Sequence, residues 1–117
     1  MRHQTIDDVV RGWPGVEAGD HRFGGTEYRL GKREIGHIHD DMGLVDIPFP
    51  RRVRDELVAA GQAEPHHVLP DSGWVSKWLR TPEDVDEAIQ LLERSYKLAL
   101  DQAVRRAARR GRTATTG

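Results

Sequence analysis

The first half of the chain alternates apolar and polar residues in short runs that glycines interrupt. A period of two residues is typical of half-buried strands, and short spacers between the runs favour antiparallel pairing. The pair Gly24–Gly25 between the first two runs is a hairpin signal. We predict strands over Val16–Phe23, Thr26–Leu30, Arg33–Asp40 and Leu44–Phe49.

Helical periodicity flanks this region on both sides. Thr5–Arg11 predicts a short helix with Thr5 as its N-cap, and Pro50–Gly61 predicts a second one that begins at a proline and ends at a glycine. The final helix has Thr81 as N-cap and Asp84 at the third helical position, as in a capping box. Its predicted buried stripe is Val85, Ala88, Ile89, Leu92, Tyr96, Ala99 and Ala103.

One more alternating run, Trp74 to Leu79, lies between the last two predicted helices. It places Trp74, Ser76 and Trp78 on one face of a strand. The predicted order is therefore helix, strands, helix, strand, helix. Segregated strands and helices favour an α+β fold, in which helices pack on one face of a small antiparallel sheet of four to five strands.

Composition narrows the class of protein. A length of 117 residues fits one domain, and the absence of cysteine excludes disulfides, zinc–thiolate sites and cysteine nucleophiles. We find no apolar run long enough for a membrane span and no signal-peptide core, so we expect a cytoplasmic protein without a membrane partner.

Five arginines and no acid lie within Arg105–Arg112, which leaves the rest of the chain with a net negative charge, an acidic body. An acidic body disfavours nucleic-acid binding.

The sequence "REIGHIHDD", from Arg33 to Asp41, concentrates the candidate chemistry. Side chains alternate along a strand, so we predict that Ile35, His37 and His39 share one face, with the two imidazoles about 7 Å apart at Cβ. The other face would carry Glu34, Gly36, Ile38 and Asp40. A glycine inside a strand indicates close approach by another element.

The residues alone leave three interpretations of this strand open. His37 and His39 could bind a metal ion that also needs a third and a fourth ligand. The candidates for these are Asp40, Asp41, His66 and His67, with His67 as the first choice. They could handle protons in an active site, with a carboxylate tuning an imidazole. They could also be polar residues that hydrogen-bond to neighbouring acids on an ordinary sheet.

The stretches "GKREIGHIHDD" and "SGWVSKWLRTPEDVDEAIQLLERSY" resemble the luciferase domain, which occurs in fungal luciferases and in many short bacterial proteins. The resemblance extends from about His21 to Leu100, and the hairpin "HRFGGTEYRLG" is more similar to bacterial members. It implies a single domain over residues 1–104 followed by a basic helix end over residues 105–117. The most specific matching positions are Lys32, Arg33, Glu34, Ile35, His37, His39 and Asp40.

The resemblance implies an oxygenase that adds dioxygen to a 3-hydroxy-2-pyrone without a metal or organic cofactor. Its partners would be a small enolic or aromatic substrate and O2. Such chemistry needs a base, donors near the developing peroxide and a dry pocket. We therefore expect His37, His39, Asp40 and His67 as catalytic residues, with His66 the weaker choice in its pair. The expected substrate-binding residues are Lys32, Arg33, Glu34, Phe49, Trp74 and Trp78.

Other roles stay open for several of these residues. Alternating aromatics such as Trp74 and Trp78 commonly pack under a helix as core, and the same holds for Phe49. Lys32 and Arg33 are also ordinary edge-strand charges. The whole domain could be a non-catalytic module that binds a small ligand or another protein, and nothing in the sequence specifies an oligomeric state. Fungal members carry an N-terminal membrane segment that this chain does not show, so light emission does not follow from the resemblance.

Overall fold

A computed structural model describes residues 2–21, 24–39 and 41–116 of the chain, and within these ranges the side chains of residues 5–111. Three helices and six strands follow in the order α1 Arg2–Arg11, β1 Val16–Asp20, β2 Thr26–Leu30, β3 Arg33–His39, β4 Leu44–Pro48, α2 Arg51–Ala59, β5 Glu64–Pro65, β6 Trp74–Trp78 and α3 Pro82–Thr116. This confirms the predicted α+β class and the order of its elements.

The strands form one antiparallel sheet in the order β1-β2-β3-β4-β6-β5. It has six strands where the sequence predicted four to five. The additional strand is β5, in which Glu64 and Pro65 pair with Ser76 and Val75 of β6. Two residues are too few to produce an alternation, so the sequence pattern did not reveal this strand.

Two element ends differ from the predictions by three residues or more, and every other predicted end by two at most. Helix α1 begins at Arg2, so Thr5 lies inside the helix and is not its N-cap. Strand β1 ends at Asp20, and the predicted hairpin closes through backbone hydrogen bonds between His21 and Gly25 and between Gly24 and His21. Glycine is required at Gly25, because a Cβ there would lie 1.8 Å from the carbonyl oxygen of Ile38.

The hydrophobic core lies on one face of the sheet, beneath α1 and α3. Strand β4 contributes Val45 and Ile47, β6 contributes Val75, and Leu92 of α3 covers them. All four side chains are fully buried. The central strands therefore bury one apolar face against helices, as an antiparallel sheet with one covered face does.

Helix α3 begins with the predicted capping box. The Asp84 N–H donates to Thr81 Oγ1 at 3.2 Å, and the Thr81 N–H donates to Asp84 Oδ2 at 2.9 Å. Its buried stripe ends at Ala99, and Ala103, predicted as core, is exposed. The reason is length: 35 residues of helix span about 52 Å, close to the 54 Å long axis of the molecule.

A bulge in β3 corrects the predicted alternation. Tyr28 pairs with Gly36, but the next residue of β2, Arg29, pairs with Glu34, so Ile35 has no opposite residue in β2. Ile35 is fully buried in the core cluster and does not share the face of the histidines as predicted. Gly36 permits the close approach of α3, because a Cβ at this position would lie 2.5 Å from Leu92 Cδ2.

Across the described residues, we find no helix with both the length and the apolar character that a membrane span requires.

Candidate histidine–aspartate site

The face of the sheet opposite the core is centred on Asp46, which is fully buried in strand β4. Four imidazole nitrogens surround one of its carboxylate oxygens, Oδ2. The Nε2 atoms of His39 and His67 lie 3.0 Å from it, that of His66 at 3.2 Å and that of His37 at 3.3 Å. Five polar side chains from three parts of the chain thus converge on a single point.

Strand pairing explains why these residues meet. His37 lies opposite Asp46 in the β3–β4 ladder, and Ser76 lies opposite Asp46 in the β4–β6 ladder. The segment that follows β5 carries His66 and His67 back over the same face. Ser76 links Asp46 to the segment that carries His67, because its hydroxyl donates to Asp46 Oδ1 at 2.8 Å and accepts the backbone N–H of His67 at 3.1 Å.

The bulge in β3 brings Glu34 to the histidine face. Its Oε2 lies 2.5 Å from His37 Nδ1, a contact that a regular strand would not allow between residues three apart. Burial alone would lower the pKa of His37, but hydrogen bonds and Coulombic attraction to Asp46 and Glu34 outweigh it and raise that pKa to about 9. In the metal-free protein, His37 is therefore an imidazolium between two carboxylates at neutral pH.

The Asp46 carboxylate stays ionised because of its hydrogen bonds and the histidines around it. Burial would raise its pKa, but hydrogen bonds from His37 and Ser76 and the proximity of His66 and His67 hold the pKa well below its usual range. A buried carboxylate is costly unless it is hydrogen-bonded, and Ser76 donates to Oδ1 of this one while imidazole nitrogens surround its Oδ2. Asp46 is the fixed negative charge of the site.

His66 has a defined tautomer. Its Nδ1 accepts the backbone N–H groups of Val68 at 3.1 Å and Leu69 at 2.9 Å, so the ring proton lies on Nε2. Burial is the largest effect on the pKa of His66 and lowers it; attraction to Asp46 opposes this shift, repulsion by His67 and His37 adds to it, and the pKa is lowered overall. A neutral His66 therefore donates from Nε2 to Asp46.

A fifth histidine and a tryptophan extend the cluster outward. The ring of His21 stacks on that of His37 with centroids 4.0 Å apart, and burial together with repulsion by His37 lowers the pKa of His21. The centroid of the Trp74 ring lies 5.3 Å from that of His37. Trp74 is half-buried beside the histidines and is not a core residue, which corrects the alternative interpretation of this tryptophan.

These side chains line a cleft of about 860 Å³. The polar part consists of the histidines and carboxylates already described, and Arg29 with its partner Glu27 lies at the same cleft. The apolar part is Val68, Leu69 and Trp74. The full lining is Asp20, His21, Glu27, Arg29, Glu34, His37, His39, Asp46, His66, His67, Val68, Leu69 and Trp74.

The structure brings together five of the residues expected from the sequence: His37, His39, His67, Glu34 and Trp74 all line this cleft. Their catalytic and binding roles stay predictions, but their proximity is a finding. Asp40, predicted as catalytic, lies outside the described residues.

Four of the expected substrate-binding residues lie elsewhere in the described part of the chain. Phe49 packs in the hydrophobic core, and Lys32 is exposed in the turn between β2 and β3. Arg33 donates to the side chain of Gln102 on α3. Trp78 is half-buried outside the cleft lining, with its ring 6.5 Å from His67 and the Arg80 guanidinium over its face.

The sequence interpretation missed Asp46, His21 and Arg29. Asp46 had a signal, because an aspartate within the apolar run "LVDIPF" places a charge in a central strand, where it needs buried partners. His21 and Arg29 had none, since only the β1–β2 hairpin and the register of β2 bring them to the histidines. His66 was ranked below His67, yet both contact Asp46.

Comparison with known proteins agrees with the resemblance noted in the sequence. No curated protein and no solved structure matches the chain. A family model, described as the luciferase domain, matches residues 32–95, which is more than half of the chain and spans β3 through the middle of α3. This protein therefore belongs to the luciferase domain family.

Proposed function

We propose that the protein is an oxygenase that adds dioxygen to a small, planar, enolic substrate of the hydroxypyrone type. The observation that carries the proposal is the convergence of four histidines on the buried Asp46 within a cleft of about 860 Å³. Pockets of roughly 300–1,000 Å³ suit small organic ligands. Membership of the luciferase domain family supports the reaction class.

The two parts of the cleft match the two parts of such a substrate. Trp74, Val68 and Leu69 offer an apolar wall for a flat ring, and Trp74 can stack on it. The imidazoles of His39 and His67 lie within reach of an enol hydroxyl placed over Asp46. In this proposal Arg29 supplies the positive charge for the enolate that the sequence interpretation assigned to Lys32 and Arg33.

The reaction is balanced without a further reductant. A histidine takes the enol proton, the enolate gives an electron to dioxygen, and the two radicals combine to form a carbon–oxygen bond. The returning proton completes a hydroperoxide, so the substrate is oxidised and dioxygen is reduced to the peroxide level. The protein has to position the enolate, exclude water and donate hydrogen bonds to the developing peroxide.

Oxygen uptake tests the proposal. We expect the protein to consume dioxygen with at least one member of a panel of 3-hydroxy-2-pyrones and related cyclic enols, at a rate above that of the free enol in buffer. The matched control is the O-methyl ether of each compound, which has the same ring but no enol proton and should be inert. Tight binding of a pyrone without oxygen uptake would contradict the oxygenase and favour a non-catalytic ligand-binding module.

A further inference from the structure

We propose that the cluster is a binding site for one divalent first-row transition-metal ion, held by His37, His39, His67 and Asp46, with His66 as a hydrogen-bond donor and not a ligand. This inference concerns metal binding and is tested separately from the proposed oxygenase reaction, because a metal ion on His39 and His67 would occupy the imidazoles that take the enol proton in that reaction. It departs from the cofactor-free chemistry that the sequence resemblance implies.

The first argument is the number of nitrogen atoms around one oxygen. A carboxylate has about four lone-pair sites, two on each oxygen. Ser76 already uses Oδ1 of Asp46, and four Nε2 atoms crowd around Oδ2. The two lone-pair sites on Oδ2 can accept from at most two imidazole N–H groups, so at least two of the four Nε2 atoms need a different arrangement, in which an unprotonated Nε2 offers its lone pair to a metal ion.

The second argument is distance. A metal ion bound by imidazole nitrogen and carboxylate oxygen at about 2.0–2.2 Å in tetrahedral geometry holds its ligand atoms about 3.3–3.5 Å apart. The Nε2 atom of His37 lies 3.3 Å from Asp46 Oδ2, at this separation, and those of His39 and His67 lie 3.0 Å from it, a few tenths of an ångström closer. His37, His39 and Asp46 form one ligand group with all contributing atoms within 4.8 Å of one another, and His67 belongs to a second such group with His66 and the shared Asp46.

The third argument is the support around the ligands. A histidine that binds a metal usually has its other nitrogen fixed by a carboxylate, and ligating carboxylates are themselves hydrogen-bonded. Glu34 Oε2 lies 2.5 Å from His37 Nδ1, and the Ser76 hydroxyl donates to Asp46 Oδ1, the oxygen that would not bind the metal, at 2.8 Å. These contacts orient Nε2 of His37 and Oδ2 of Asp46 towards the same point.

The tautomer of His66 removes it from the ligand set. Two backbone N–H groups donate to its Nδ1, so its Nε2 bears the proton and has no lone pair for a metal. Three imidazoles and one carboxylate remain, and His37 would release its proton on binding the metal. This mixed nitrogen–oxygen set suits Fe²⁺, Ni²⁺, Zn²⁺ or Co²⁺ better than Ca²⁺ or Mg²⁺, which prefer oxygen ligands.

Cobalt titration tests the site. The untagged full-length chain is treated with EDTA, transferred to a non-coordinating buffer and titrated with Co²⁺, whose visible absorption bands report the ligand set. We expect one Co²⁺ per chain, displaced by Zn²⁺. His39→Leu and His67→Leu should each weaken binding by more than 100-fold and change the bands. The matched variant His66→Leu should keep the bands, with a loss of roughly 10–100-fold typical of an outer partner.

Circular dichroism identifies any variant that does not fold, and His67→Leu, at the more exposed position, decides the outcome if His39→Leu is unstable. Absence of Co²⁺ binding by the wild type would overturn the site. Equal binding by all three variants would do the same, as would a His66→Leu variant that changes the bands as the others do. Stoichiometric binding without oxygen uptake would instead leave the site standing and contradict only the proposed reaction.

Discussion

The two faces of the central sheet are built from the same strands and have opposite chemistry. In β4, Val45 and Ile47 are fully buried under α3, while the intervening Asp46 is fully buried on the side of the histidines. In β3, Ile38 packs in the core and the adjacent His39 contacts Asp46. A shift of one residue along the chain separates packing from chemistry.

This difference between the faces explains how the fold can hold the buried cluster of Asp46 and its histidines, whose formation costs desolvation energy. A buried carboxylate among imidazoles is costly to form, because desolvation opposes its attractions. The apolar face supplies the stability that the polar face lacks, because burying apolar side chains is the main favourable contribution to folding. We therefore expect stability and activity to respond to substitutions on different faces.

The largest effect on stability is expected from a matched pair of leucines. Leu92→Ala, on the core face, should lower the free energy of unfolding by about 3–5 kcal/mol, because it leaves a cavity under α3. Leu69→Ala, in the cleft wall with Leu69 54% exposed, should change it by less than about 0.5 kcal/mol. Chemical denaturation measures the free energy of unfolding of both variants. Similar losses would contradict the claim that the core face supplies most of the stability.

The second prediction concerns pH. The folded-state pKa of His37, about 9, lies above its unfolded value of 6.5, so its contribution to stability is present below pH 6.5 and is lost as the pH rises towards 9. For the EDTA-treated protein we expect the free energy of unfolding to fall by at most about 3 kcal/mol across that interval. Denaturation of the wild type and of His37→Gln at several pH values provides the measurement.

The His37→Gln variant should show a much flatter profile over this interval, because glutamine does not titrate. A wild-type profile that is already flat between pH 6.5 and 9 would contradict the ion pairing of His37 with Glu34 and Asp46.

The third prediction concerns the place where α3 approaches the sheet. Gly36→Ala should destabilise the fold by about 1–3 kcal/mol, because the added Cβ would lie 2.5 Å from Leu92 Cδ2. In a double-mutant cycle, Gly36→Ala should cost less in the Leu92→Ala background, since the clashing atom is gone. Additive losses would indicate that the strain lies in the backbone of Gly36, whose φ is 156°.

The smallest effect is expected from the basic end of α3. Residues 103–111 are exposed, so deletion of residues 105–117 should change the free energy of unfolding by less than about 0.5 kcal/mol and leave oxygen uptake unchanged. A larger loss of stability or of uptake would show that residues 1–104 are not a sufficient domain.

Much of the fold was predictable because its signals are local. The capping box at Thr81 and Asp84, the hairpin glycines and the proline before α2 specify their elements from a few adjacent residues. Strand β5 and the bulge at Ile35 were not predictable in this way. Both depend on pairing with distant strands, which no short-range pattern encodes.

The part of the site that lies on one strand was predictable from the alternation of side chains along that strand. His37 and His39 were expected together, His67 was a candidate third ligand, and the family resemblance added Trp74. Asp46 was missed because its partners come from β3, β6 and the segment after β5, and only the sheet order places them around one oxygen. Phe49 was assigned to the site on its residue type alone, although it packs in the core.

Two adjacent residues of β3 offer the most direct test of the account. Ile38→Val, on the core face, should lower the free energy of unfolding by about 0.5–1.5 kcal/mol and leave oxygen uptake with a hydroxypyrone unchanged. His39→Gln, on the cleft face, should keep the melting temperature within a few degrees and reduce the rate of oxygen uptake by roughly 100-fold or more. Uptake by His39→Gln at the wild-type rate would contradict the assignment of chemistry to this face of the sheet.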